Sequence, residues 1–114
     1  MLALIGRYNY FLGGLFLVFL SGVMQPVLAA EPSSARQNEL LALLKNDCGA
    51  CHGLTLQGGM GPALLPKTLS GKPDDFLVAT ILNGRKGTAM PPWQTFMTQD
   101  DALWLVHVLR KNKQ

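Results

Sequence analysis

Two thiols and an imidazole stand within five residues in Cys48-Gly-Ala-Cys51-His52, in a chain that has only two cysteines and two histidines. On a helix, thiols separated by two residues lie about one turn apart, with the imidazole beside the second. C-x-x-C-H is the pattern by which haem is attached covalently. Each thiol adds to one vinyl group of the porphyrin, and the histidine becomes the proximal ligand of the iron. Other chemistries use the same side chains but fit less well. A thioredoxin-like redox pair wants a βαβ setting, and no segment here alternates convincingly with period two. Zinc would require Cys48, Cys51, His52 and His107 to converge, although Cys51 and His52 are adjacent. A plain disulfide leaves His52 without a reason.

An electron-transfer haem of six-coordinate type needs a second axial ligand, and Met90 is the candidate. It follows the Gly-rich Gly84-Arg-Lys-Gly-Thr-Ala89 and precedes Pro91-Pro92, which lack donors and hold the backbone extended. A loop without regular hydrogen bonding can then aim the thioether at the iron. A lone methionine is ordinarily core filler, and Met60 and Met97 are rivals. Met60 lies only eight residues beyond His52, which is short for reaching the opposite face of a ring. His107, mid-helix among Leu103, Trp104 and Val108, reads as a structural histidine. Met24 would be lost with the leader described below.

Three helices can position these groups. The first follows Ser34 as cap, with Gln37 reciprocating at N3, carries Leu40, Leu41, Leu43 and Leu44, and runs into Cys48. The second opens with Pro73 at N1 and Asp74 and Asp75 in its first turn. It carries Phe76, Leu77, Ile81 and Leu82, and stops at Asn83-Gly84. The third is capped by Thr98, has Asp100 and Asp101 in its first turn, and carries Leu103, Trp104, Val106, Val108 and Leu109. It closes on Arg110, Lys111 and Lys113, cations that suit a helix C-terminus. The Gly- and Pro-rich stretches between helices contain Leu54, Leu56, Leu64, Leu65, Trp93 and Phe96. A solvated loop would not choose these residues, and a flat apolar cofactor would cover them.

At 114 residues the chain has room for one domain. Arg7, an uncharged stretch from Tyr8 to Ala30 and the small-residue end Val27-Leu28-Ala29-Ala30 follow the order of a secretory signal peptide. Residues 1–30 are therefore expected to be a signal peptide cleaved after Ala29 or Ala30, or else an uncleaved anchor. In either case residues 31–114 form the exported domain. That part keeps nine Lys and Arg against seven Asp and Glu, too slight an excess for a nucleic-acid binder. It is also small enough to need a staple beyond its hydrophobic core, and a haem tied to the chain would serve as one. Lys45, Arg85 and Lys86 flank the attachment site and the ligand loop, where they could orient an acidic partner.

Taken together, CGACHG, GGMGPAL, TAMPPW and the closing helix DDALWLVHVLR resemble the small monohaem class I cytochromes c over essentially the whole exported part. The resemblance implies an all-α fold of three main helices and Gly/Pro-rich loops around one covalently bound haem c. It also implies that the carbonyl of Pro62 accepts a hydrogen bond from the proximal imidazole, fixing its orientation and basicity. More narrowly, NDCGACHG with LTLQGGMGPAL, ATILNGRKGTAMPPW and ALWLVHVLR is similar to the NirC-type cytochromes found with the haem-cd nitrite reductase. That likeness implies a periplasmic carrier of single electrons, not an enzyme. Its partners would be nitrite reductase or the maturation proteins of its special haem, with an upstream periplasmic or membrane donor; the membrane would be a partner only if the N-terminal segment is retained. Two other functions share the motif: a gas-binding or sensory haem with a labile sixth ligand, and a relay subunit of a larger oxidoreductase.

Overall fold

A computed structural model describes residues 30–112; the expected signal peptide, apart from Ala30, lies outside the described residues. Within them every regular element is helical and no strand occurs, as expected. The elements are α1 (Ser34–Leu43), a π-helical turn (Leu44–Cys48), α2 (Gly49–His52), α3 (Pro66–Leu69), α4 (Asp74–Asn83) and α5 (Gln99–Lys111). The short α3 was not foreseen.

The first helix is capped by Ser33, not Ser34. Ser33 is extended at ψ 157°, and its hydroxyl accepts from the Arg36 N–H at 3.3 Å. Ser34 is already helical, so the expected cap moves by one residue. Gln37 does not reciprocate; its Nε2 donates to the Pro32 carbonyl at 2.9 Å. Leu40 and Leu44 face inward, one turn apart, whereas Leu41 stays 43% exposed. The helix then widens: the Gly49 N–H donates to the Leu44 carbonyl, five residues back. One extra residue in a turn shifts the phase of all that follows. Cys48 closes this turn, and Cys51 and His52 follow it on α2.

Pro73 is the cap of α4 rather than its first residue, being extended at ψ 151°. Asp74 and Asp75 occupy the first turn as expected. Inside α4, Leu77 and Val78 are buried, while Phe76 is 54% exposed.

The last helix, α5, packs on α1, α3 and α4. Its N-terminus is a complete capping box: the Asp101 N–H donates to Thr98 Oγ1 at 3.1 Å, and the Thr98 N–H to Asp101 Oδ2 at 3.0 Å. Arg36 from α1 joins the same carboxylate through Nε at 3.2 Å and Nη2 at 2.9 Å, and Nη2 also reaches the Phe96 carbonyl at 2.7 Å. Burial pushes the Asp101 carboxyl up, but the hydrogen bonds from Arg36 and Thr98 outweigh it and hold the group below the ordinary carboxylate value. The buried face of α5 is Ala102, Leu105, Val106 and Leu109, with Leu103, Trp104 and Val108 flanking it half-buried. The expected face had missed Ala102 and Leu105. At the C-terminal turn Arg110 leaves its own helix. Its Nε donates to Asp74 Oδ1 at 2.7 Å and its Nη1 to the Leu69 carbonyl at 3.2 Å, while Nη2 bonds the Lys72 carbonyl. The α3–α4 turn is thus pinned to α5.

Candidate haem site

A cleft of about 510 Å³ opens between α2, the two long loops, α4 and α5, within the roughly 300–1,000 Å³ of sites that enclose a ligand or cofactor. Cys48, Cys51, His52 and Met90 all line it, as do Leu64 and Trp93. The walls are overwhelmingly apolar, and α5 contributes Leu105, Val106 and Leu109. Both cysteines are free thiols. Burial, reinforced by the charge of Asp47, pushes the Cys48 thiol up to about 11. It therefore stays a neutral thiol at physiological pH, the form that resists oxidation to a disulfide.

The proximal side is built by a loop that folds back onto the end of α2. The Gly58 N–H donates to the His52 carbonyl and the Gly61 N–H to the Cys51 carbonyl, both at 2.8 Å, so carbonyls at the end of this short helix are capped by the loop that follows it. The same fold brings the Pro62 carbonyl to 2.6 Å from His52 Nδ1. A carbonyl only accepts, so Nδ1 carries a proton, and in the neutral ring that tautomer leaves the Nε2 lone pair for a metal. Gly61 makes this approach possible, because a Cβ there would lie 2.8 Å from both Cε1 and Nδ1 of the ring. Leu56, at φ 59° and only 7% exposed, plugs the loop from inside, and its carbonyl accepts from Leu64 N–H at 2.9 Å.

The distal loop is more ordered than its composition suggests. Its Arg85 N–H donates to the Met90 carbonyl at 3.1 Å, and the Thr88 N–H to the Arg85 carbonyl at 3.0 Å. The Thr88 hydroxyl donates to the same carbonyl at 2.7 Å and receives the Met90 N–H at 3.3 Å. Beyond the prolines, Trp93 and Gln94 N–H groups donate to Ile81 and Leu82 carbonyls at the end of α4. The loop has no helix or strand, as expected, but these isolated hydrogen bonds pin the backbone of Met90. Gly84 permits it, since a Cβ there would meet the Met90 carbonyl oxygen at 2.6 Å.

The other candidate residues sit differently from Met90. Met60 borders the cleft but is 78% exposed, and it precedes Gly61 on the loop that packs against His52. Met97 also borders the cleft, yet is only 5% exposed and belongs to the core. His107 does not line the cleft; its Nε2 lies 3.2 Å from Asp74 Oδ2. Among the described residues no group of three or more His, Cys, Asp or Glu could hold a metal ion, which removes the zinc alternative. Of the six loop residues expected to pack on a cofactor, Leu64 and Trp93 line the cleft, whereas Leu54, Leu56, Leu65 and Phe96 do not. Leu54 is 77% exposed, and Phe96, 61% exposed, instead tilts over Trp93 with ring centroids 5.7 Å apart. Leu69, Phe76 and Ile81 line the cleft without having been singled out for it; the alternation of Phe76, Leu77, Ile81 and Leu82 on α4 was the available signal.

The sequence matches known proteins along most of this domain. Residues 35–107 match the family model described as cytochrome C oxidase, cbb3-type, subunit III. A cytochrome c55X of Pseudomonas aeruginosa is 57% identical over 82 residues, covering 71% of this chain and 69% of that protein. The chain belongs to this cytochrome c family, as a class I monohaem member. Among solved structures, a c-type cytochrome NirC superposes with TM-score 0.69 at 55% identity, covering 70% of this chain and 94% of that one. Dihydro-heme d1 dehydrogenase NirN in complex with DHE matches with TM-score 0.59 at 36% identity, over 64% of this chain but only 16% of that one. As a cytochrome c of the NirC kind, the chain binds haem c covalently and carries electrons, without making or breaking substrate bonds. The apolar cleft, its two free thiols and the imidazole bonded through Nδ1 fit that cofactor.

Proposed function

We propose that Cys48 and Cys51 carry the two haem thioethers, that His52 is the proximal and Met90 the distal iron ligand, and that Pro62 orients His52 through Nδ1. The observation that carries this reading is the convergence of all four side chains on one apolar cleft, with His52 held at 2.6 Å from the Pro62 carbonyl. When bound, haem c supplies a one-electron ferric–ferrous couple. The protein's part is to hold the imidazole by its Nδ1 proton, to fix the Met90 backbone at both its N–H and its carbonyl, and to exclude water with Leu64, Trp93 and α5. A thioether ligand and apolar burial both favour the reduced state. The pinned Met90 turn supports a carrier rather than a sensor with a labile sixth position.

Residues 1–30 act in this reading as the export signal, and residues 31–114 work in the periplasm. The carrier passes single electrons to nitrite reductase, or to the maturation of its haem, from an upstream periplasmic or membrane donor. The likeness to NirC and to NirN supports this destination. Two measurements test the proposal. In Met90→Ala, but not in Met60→Ala or His107→Ala, the long-wavelength ferric iron-to-sulfur band should vanish and the potential fall. Stopped-flow mixing of the reduced carrier with nitrite reductase, and separately with the haem-maturation proteins, should show rapid oxidation by one of them. Survival of the band in Met90→Ala refutes the ligand assignment, and inertness toward both partners refutes the destination.

A further inference from the structure

Residues 85–90 form a small closed turn, its ends joined by the Arg85 N–H, which donates to the Met90 carbonyl at 3.1 Å. Residues 85–89 are exposed and Met90 is half-buried, so packing does little to fix the turn's shape. One side chain braces it from within. Thr88 Oγ1 donates to the Arg85 carbonyl at 2.7 Å and accepts from the Met90 N–H at 3.3 Å. The two bonds differ in consequence. The Arg85 carbonyl also accepts from the Thr88 N–H at 3.0 Å, so it keeps a partner without the hydroxyl. The Met90 N–H has that hydroxyl as its acceptor, and the neighbouring Ala89 N–H makes no hydrogen bond among the described residues. Between Arg85 and Thr88 stands Gly87, at φ 79° with open space where a Cβ would lie. A glycine so placed leaves the backbone free to turn unless bonds elsewhere in the turn restrain it. On the other side of Met90, Pro91 and Pro92 restrict the chain. Any backbone movement of Met90 must therefore come from the Gly87 side, and the Thr88 hydroxyl is the brace that stands against it.

We propose that the Thr88 hydroxyl is the lock of the distal turn: it sets how readily Met90 leaves the iron, and hence how closed the sixth position is to small nitrogen-donor ligands. The inference rests on the assignment of Met90 as the distal ligand and deepens it, naming the residue that separates a closed carrier from a haem open to exogenous ligands. Thr88 is a positioning residue. While the N–H and the carbonyl of Met90 are both held, the peptide before Met90 cannot swing. Without the hydroxyl only the carbonyl is held, and the peptide between Ala89 and Met90 can turn about Gly87 and carry the side chain away from the cleft. A net hydrogen bond shifts such an equilibrium by a factor of about two to ten. A ligand that binds only the open form gains apparent affinity by the same factor.

The test is an imidazole titration of the ferric holo-protein, as wild type, Thr88→Val and Thr88→Ser, with displacement of the thioether read as loss of the long-wavelength iron-to-sulfur band. Valine keeps the branched shape and removes the hydroxyl, whereas serine keeps the hydroxyl. Thr88→Val should reach half-displacement at an imidazole concentration about two- to tenfold lower than wild type, and Thr88→Ser should follow the wild type. A second readout does not involve the iron and needs no variant to fold: amide hydrogen exchange. In the wild type the Met90 N–H should exchange more slowly than the Ala89 N–H, and in Thr88→Val the difference should disappear. Coincident imidazole titrations of wild type and Thr88→Val, equal loosening in Thr88→Ser and Thr88→Val, or a wild-type Met90 N–H that exchanges as fast as that of Ala89 would each overturn the proposal. An iron-to-sulfur band that persists in Met90→Ala would instead refute the ligand assignment on which it rests.

Discussion

Gly84 and Gly87 bracket the start of the ligand loop, and both have positive φ, 65° and 79°. Their surroundings differ. A Cβ on Gly87 would meet nothing within 4 Å, whereas one on Gly84 would lie 2.6 Å from the Met90 carbonyl oxygen, 2.6 Å from the Pro91 carbonyl carbon and 2.7 Å from Pro92 N. All three are backbone atoms, so no side chain can swing aside. Gly87→Ala should cost only the left-handed conformation, about 1–2 kcal/mol. Gly84 also has ψ −168°, a region open essentially to glycine alone, at about 1–3 kcal/mol for any other residue. Forcing a methyl group into packed atoms adds about 1–3 kcal/mol, so Gly84→Ala should lose roughly 2–6 kcal/mol. The loss should appear in two places: the denaturant midpoint of the ferric holo-protein, and the ferric iron-to-sulfur band, since the atoms that must move belong to Met90 and the prolines behind it. Gly87→Ala should keep the band. Equal losses in the two variants, or a Gly84→Ala protein with band and midpoint intact, would refute the claim that close backbone approach at Gly84 sets the position of Met90.

Gly61→Ala should act on the proximal side, because its Cβ would lie 2.8 Å from the His52 ring. Displacing the ring from the Pro62 carbonyl should cost about 1–3 kcal/mol and raise the potential as the imidazole becomes a poorer donor, both readable by denaturant titration and voltammetry. Asp101→Asn should destabilise the domain by roughly 1–3 kcal/mol at pH 7, short of the full cost of breaking a buried pair because Arg36 is a third exposed and can rehydrate. The Asp101 carboxyl is held below its ordinary value, so its stabilisation is complete above the usual carboxylate range and is lost as pH falls through the folded value. The variant should therefore show a flatter acid limb in unfolding measured from pH 7 to pH 2.

The chemistry was the most legible part of the sequence, and the reason is covalent. Thiols and an imidazole that are to hold one cofactor need a fixed spacing whatever surrounds them, the spacing that Cys48, Cys51 and His52 have, and Met90 stands between recognisable glycine and proline punctuation. Helix N-termini were legible to within one residue: Ser33 and Pro73 are caps because their backbones are still extended, which composition alone does not tell. Less legible was anything that depends on tertiary partners. The buried face of α5 includes Ala102 and Leu105 because α1, α3 and α4 surround it, while Leu103 and Trp104 carry more hydrophobic surface yet end at its flank. Arg110 read as a cation placed for its own helix dipole, but it spends its donors on Asp74 and on the carbonyls of Leu69 and Lys72. Leu54 and Phe96 looked too apolar for open loops; they remain exposed at the surface.

The placement of charge in this domain also bears on its function. Arg36 with Asp101 and Arg110 with Asp74 fasten α5 at its two ends, and neither pair lines the cleft. The carboxyl of Asp74 repeats the pattern at Asp101: burial pushes it up, and the hydrogen bonds from Arg110 and His107 hold it below the ordinary value. The packing of α5 is thereby secured by polar contacts outside the cleft, leaving Leu105, Val106 and Leu109 free to form an apolar wall. An electron carrier benefits from that division. Changing the charge of a metal by one unit reorganises whatever polar groups and water can move nearby, and a wall of branched side chains gives them little room. The proposed ligands are held in the same spirit. His52 is fixed through its Nδ1 by a carbonyl on a loop anchored to Cys51 and His52 themselves, and Met90 through its own backbone by Arg85 and Thr88. Each of these two residues is positioned by hydrogen bonds from an adjacent loop, so the proposed coordination should survive loss of either outer ion pair even where the stability of the domain does not.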